Sequence, residues 1–250
     1  MIYTCYEMIR DCRADKAEGW AYFISNYTPV VRKLTAHYGA DFESAMAMLR
    51  HPQSSPFRSM EPVPERWLVA ELRQQIVAAA AAAVPEIPLD LETVASALEP
   101  LTTVEKQAAW FETMQFPPQP TAEALRMAAS TVEKIRERAD ELIRGKVDSW
   151  RRELLAANGP SLGLDAARAK ANDCLPSKAF LDVLDGRSTW RGREEIEQHV
   201  GSCWHCIDHF CRMAEVIEIL RGIQPLSESE AAPLKQKLGV ETPKRSFWKR

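Results

Sequence analysis

Six cysteines stand in the chain, at positions 5, 12, 174, 203, 206 and 211, and four of them fall in its last third. Cys203 and Cys206 form a C-x2-C pair, and His199 stands four residues before it, giving H-x3-C-x2-C. Cys174 lies 25 positions before His199. A C-x2-C pair presents two thiolates to one ion because a short turn brings both sulfurs to the same point. A His four residues earlier closes a third corner, and a distant Cys closes the fourth. Zinc accepts such a Cys3His set as a closed tetrahedron. The candidate metal ligands are therefore Cys174, His199, Cys203 and Cys206, with one structural Zn2+ per chain.

Other readings of these residues compete. The C-x2-C is also the pattern of a redox pair, and buried thiols serve as small core residues. His205 lies inside the C-x2-C and would have to strain to face the same ion. His209, three residues beyond Cys206, is the credible substitute for Cys174. Cys211 falls off that helix face and reads as core. A complete four-ligand site leaves no open coordination position. The sequence also lacks G-x-S-x-G, H-E-x-x-H and a Gly-rich phosphate loop, so no enzymatic activity is expected.

The elements that must position these ligands read as helices. The chain has 250 residues, 46% of them hydrophobic, and a net charge of -3, which excludes a mostly disordered polymer. The near-zero charge lacks the basic excess of a nucleic-acid-binding domain. The longest apolar run, Ile76 to Val84, has 9 residues, against about 20 for a membrane span, so no membrane partner is expected. The opening MIYTCYEMIRDCR has no basic start followed by an apolar stretch. A cytoplasmic, reducing location is expected, where the cysteine spacing reads as metal rather than disulfide.

Residues 17–38 place Trp20, Phe23, Ile24, Tyr27, Val31, Leu34 and Tyr38 at helical steps before Gly39. Further helices are expected over 40–49, 65–84, 91–101 and 103–114, with a Pro-rich loop over 51–64 and a Pro-rich linker over 115–120. Thr121 reads as the cap of a helical region reaching about Asn158, divided by a turn and new N-cap at Ser130-Thr131. Asn158-Gly159-Pro160 reads as a break. Gly186 and Gly201 read as residues ending helices, and Ser202 as the cap of a helix beginning at Cys203. No segment reads as strand.

The segment C-L-P-S-K-A-F-L-D-V-L-D-G, followed by R-E-E-I-E-Q-H-V-G-S-C-W-H-C, resembles the zinc-finger module of zinc-binding anti-sigma factors over about 174–222. His205 departs from it, since such modules more often carry a small or acidic residue there. The N-terminal run D-C-R-A-D-K-A-E-G-W-A-Y-F-I-S-N-Y and the later E-R-W-L-V-A-E-L-R resemble region 2 of extracytoplasmic-function sigma factors. The stretch from A-L-E-P-L-T-T-V-E-K through S-T-V-E-K-I-R-E-R resembles sigma region 4, a helix-turn-helix. The resemblance implies an all-α chain with a region 2-like domain at 1–84, a region 4-like domain at 85–157, a zinc module at 158–225 and a basic tail at 226–250. It implies transcription regulation, with RNA polymerase core or a sigma factor as partner and promoter DNA as a further one. Arg136 and Arg138 stand where such helices meet phosphates or bases. One departure points to a degenerate sigma factor. The helix after W-L continues R-Q-Q-I-V-A-A-A-A-A-A-V, and alanine cannot neutralise phosphate. The competing reading is a helical, zinc-containing interaction scaffold without DNA binding. The tail K-Q-K-L-G-V-E-T-P-K-R-S-F-W-K-R interleaves Phe247 and Trp248 with basic residues, a composition suited to nucleic acid, to an acidic partner or to a solvated end.

Overall fold

Helix signals govern the whole computed structural model, which describes residues 3–53, 55–83, 89–147 and 152–240. Among the described residues there are thirteen α-helices, one 3-10 turn and no strand. The first four helices are α1 (Cys5–Arg13), α2 (Ala17–Tyr38), α3 (Phe42–Arg50) and α4 (Glu65–Ala83). Then follow α5 (Leu91–Leu98), α6 (Thr103–Thr113), α7 (Pro118–Leu125), α8 (Ala129–Arg144) and α9 (Arg152–Arg168). The last are α10 (Ser177–Leu184), α11 (Trp190–Val200), α12 (Trp204–Arg221) and α13 (Glu228–Lys237). None of them is long and apolar enough to cross a membrane.

The chain divides into two units. One comprises residues up to Ile76 together with those from Ile219 onward. Thr4 and Glu7 form a capping box that starts α1, and Gly39 ends α2 in the left-handed conformation at φ 68°. The apolar stripe of α2 is buried as its spacing requires. Trp20, Phe23 and Phe57 meet edge to face, with centroids 5.1 to 5.8 Å apart. The segment from 226 onward contains a docked helix: Leu226 N–H donates to Ser25 O at 2.7 Å, and α13 packs on α2. Residues 241–250, including Phe247 and Trp248, lie outside the described residues.

The other unit, Val77–Glu218, holds the candidate ligands. Here the local signals mislead in three places. The expected linker and Thr121 cap are instead helix α7, in which Thr121 is buried and donates to Pro117 O at 2.8 Å. The turn falls at 126–128, opening with Arg126 at φ 56°, so α8 begins at Ala129, ahead of the expected cap at Ser130-Thr131. The expected break at Asn158-Gly159-Pro160 lies inside α9. Gly159 is needed there for packing: a Cβ would run into the carbonyl oxygen of Thr113 at the end of α6. The close approach of α9 to α6 outweighs the weak helix propensity of the Gly-Pro pair.

Candidate metal centre

The short turns around α10, α11 and α12 bring Cys174, His199, Cys203 and Cys206 together. Their candidate ligand atoms all lie within 4.8 Å of one another. Cys174 Sγ and Cys203 Sγ are 3.7 Å apart, and His199 Nε2 is 3.1 Å from Cys206 Sγ. Zinc–sulfur bonds of about 2.3 Å in a tetrahedron give a sulfur–sulfur edge of about 3.8 Å, so the first distance fits one bound ion. The donor set of three thiols and an imidazole fits a borderline-soft metal of the zinc type.

Each ligand is positioned by its own local structure. Cys174 follows α9 on a turn, and Ala171 N–H donates to its sulfur at 3.1 Å. His199 sits in the last turn of α11, which Thr189 caps at its start by accepting from Gly192 N–H. Cys203 occupies the N-cap position of α12: its carbonyl accepts from Ile207 N–H, and its sulfur accepts from Cys206 N–H. A thiol here does the work usually done by a serine or aspartate cap. Ser202, the expected cap, turns back and donates to His199 O at 3.1 Å. Cys206 is fully buried in the first turn of α12, and Leu175 N–H donates to its sulfur. These amide donors favour thiolate over thiol. Burial opposes them and dominates in the metal-free protein, pushing Cys203 up and Cys206 up to about 12. A bound cation removes that penalty by displacing the protons.

Behind the cluster, the carboxylate of Asp173 stands 3.8 Å from His199 Nδ1. That is too long for a direct hydrogen bond. Its charge favours a proton on Nδ1, which leaves the Nε2 lone pair facing the sulfurs. Helix α6 supports the other side. Lys106 Nζ donates to Gly201 O at 3.0 Å, and Thr103 Oγ donates to Glu197 O at 3.4 Å, so both engage the carbonyl end of α11. Trp110 Nε1 donates to the fully buried carboxylate of Asp208 at 3.2 Å, and Arg212 pairs with the same group. The ring of Trp110 also lies 5.4 Å from that of Trp204. None of Thr103, Lys106, Asp173 and Asp208 was marked by the ligand spacing. Gly201 was the one local signal: it ends α11 as its position in the sequence suggests, and it also has a packing role that the sequence does not mark. Its backbone is right-handed, and its lack of a Cβ makes room for Thr103 Oγ, which would lie 2.5 Å from one.

The other singled-out residues fall outside the cluster. His209 Nε2 contacts Ser177 Oγ at 2.7 Å, so it does not substitute for Cys174. The Nδ1 of His205 faces the carbonyl oxygens of Ala167 and Ala166 at 3.0 and 3.2 Å. Desolvation lowers the pKa of both rings, that of His209 to about 3. Cys211 is core, with its thiol 3.8 Å from Gln107 O. Arg136 is turned inward at 9% exposure and donates to Phe116 O and Thr121 Oγ at 2.6 and 3.2 Å. Its guanidinium braces α7 against α8 and is not presented on an open face as the helix-turn-helix resemblance implied. Arg138 is half-exposed and pairs with Glu105 of α6 at 3.1 Å. Compared with protein-family models, curated proteins and solved structures, the chain matches none.

Proposed function

We propose that the chain regulates transcription in the cytoplasm as a degenerate sigma-factor-like protein whose C-terminal part is a structural zinc module. Its expected partners are RNA polymerase core or a sigma factor. The observation that carries this reading is the Cys3His cluster gathered by α11, the start of α12 and the turn before α10, in the ligand order of the anti-sigma modules that the sequence resembles. The docking of that module on α6 through Gly201, Lys106 and Trp110 supports a masking role. No catalytic role is proposed. The test is affinity capture from cells with the full chain. Recovery of polymerase subunits or a sigma factor supports the reading, and their absence overturns it.

The scaffold reading is favoured by a specific observation: Arg136 faces inward and Arg138 is paired, which leaves the α8 face without the arginines expected to meet DNA. A DNA shift assay across a salt series separates the two. Binding that weakens steeply with salt marks phosphate contacts. No shift, with or without core polymerase, removes promoter reading.

The module also supports a redox response. Cys174 and Cys203 stand close enough for two thiolates to give up two electrons and join as a disulfide, with peroxide reduced to water. Loss of both sulfurs as ligands would expel zinc. Peroxide treatment that neither releases zinc nor changes partner binding would overturn this response.

A further inference from the structure

Helix α2 carries a gap in its own bonding that another part of the chain fills. Pro29 stands inside α2 and has no backbone N–H, so the carbonyl of Ser25, four residues earlier, lacks its usual helix donor. A main-chain acceptor in packed surroundings needs a donor from elsewhere. Leu226 N–H supplies it at 2.7 Å, from the non-helical stretch 222–226 just ahead of α13. The notch at Ser25 and Pro29 thus takes a backbone N–H from a non-helical residue, and the helix that follows packs on α2. Charge fixes its direction. Arg32 of α2 acts on Glu230 in the first turn of α13, and Lys237 in its last turn pairs with Glu43 of α3 at 2.7 Å. The attachment is weak. Only Ala231 and Lys235 of the ten residues of α13 are buried, against twelve of 22 in α2. The Lys237–Glu43 pair is exposed on both sides, where such pairs contribute little. The first turn of α13 is closed by its own capping box, Ser227 with Glu230, without help from α2. Gly222 and Pro225 lie in the stretch that joins it to α12. The segment can therefore leave α2 as a piece, without disturbing the aromatic contacts around Phe23 and Phe57.

We propose that the Ser25–Pro29 notch and the α2 face beside it form an interaction site between copies of this chain, closed within one copy by the segment 222–240 as a detachable latch. The site fits a non-helical N–H donor followed by a helix with an acidic first turn and a basic last turn. A second copy carries that segment on the same hinge, so one latch replaces another with every contact conserved. Latch exchange requires neither the transcriptional role nor a bound metal.

The test combines hydrogen exchange and peptide binding on the full chain. The Leu226 amide and the amides of α13 should open together, at least about a hundredfold faster than those of Phe23 and Tyr27 in α2. Pro29→Ala gives α2 its own donor to Ser25 O. It should speed exchange at Leu226 and along α13 at least about tenfold while the melting temperature holds or rises. A substitution that only disturbed the fold would lower both. Leu226→Pro removes the other half of the bond and should release α13 in the same way, with the notch left open. A dye-labelled peptide of residues 222–240 stands in for the latch of a second copy. It should bind the Leu226→Pro chain saturably. Wild type, with its notch filled, and Pro29→Ala, with its notch closed, should bind it at least about tenfold more weakly. The proposal is overturned if α13 is as protected as the middle of α2, or if Pro29→Ala leaves its protection unchanged. It is overturned equally if the peptide fails to bind Leu226→Pro, or binds Pro29→Ala as tightly.

Discussion

At the scale of single residues, the four-ligand cluster separates groups that bind from groups that only sit nearby. Cys203 does two jobs, capping α12 and facing Cys174, while Cys206 is sealed in the first turn behind it. The double variant Cys203→Ala, Cys206→Ala should therefore fall from one bound metal to none by elemental analysis. His209→Ala should keep the metal, because His209 is occupied with Ser177. A His209→Ala protein without metal would mean that His209, not Cys174, is the fourth ligand. The pH dependence has a sign as well. In the metal-free protein the Cys206 thiol is held protonated by burial, from an ordinary 9.0 up to about 12. The unfolded chain ionises that thiol near its ordinary value. The stability contributed by burying the neutral thiol is therefore present below about pH 9 and is lost as pH rises toward 12. Chelated protein should melt at a lower temperature as pH is raised from neutral to about 10. Metal affinity should rise over the same range, because the ligands must shed protons to bind. A melting temperature that is flat with pH would show that the thiol is not sealed.

At the scale of elements, two glycines explain how the metal-bearing helices pack against α6, and they make different predictions. At Gly201 the obstacle to a Cβ is a side-chain oxygen, Thr103 Oγ. Gly201→Ala should destabilise by about 1 to 3 kcal/mol in thermal or denaturant melts, and the added Thr103→Ala should restore most of the loss. Thr103 is not the cap of α6, since Thr102 fills that role, so its removal leaves the helix start intact. At Gly159 the obstacle is the main-chain oxygen of Thr113. Gly159→Ala should cost a similar amount, and no substitution at Thr113 should recover it. Equal rescue at both sites would refute the packing account. The same glycines show what was legible in the sequence. Ligand spacing is a short-range property, so Cys174, His199, Cys203 and Cys206 could be read directly, as could the stripe of α2. Gly159 and Gly201 both read as local punctuation, one a break and the other a helix end; Gly201 does end α11, but neither reading says why glycine is needed there. Their reasons lie across the fold in α6, about 46 and 98 positions away in the chain. Arg136 was misplaced for the same cause: periodicity puts it on α8, but only the neighbouring Phe116 carbonyl and Thr121 hydroxyl turn it inward.

At the scale of the whole molecule, the two units have separate sources of stability. The first owes its core to aromatic packing along α2 and to the helix α13 that joins it from the far end of the chain. The second contains every candidate metal ligand. Around that cluster the restraints on α10 and on the start of α12 converge on the sulfurs: Ala171, Leu175 and Cys206 direct amides at them. Removing the ion leaves those amides facing neutral thiols, which are weaker acceptors than thiolates. The buried contacts between α6 and α12, Trp110 with Asp208 and Phe111 with Phe210, do not depend on the ion. Chelation should therefore loosen one part of one unit rather than unfold the chain. In hydrogen exchange of the full protein, amides of 171–206 should lose protection by about tenfold or more after metal removal, since local opening is set by the contacts that close each segment. Amides in the middle of α2, around Phe23 and Tyr27, should be unchanged. Equal loss in both places would mean that the ion holds the entire molecule together, and no loss at 171–206 would mean that the cluster binds no structural metal at all.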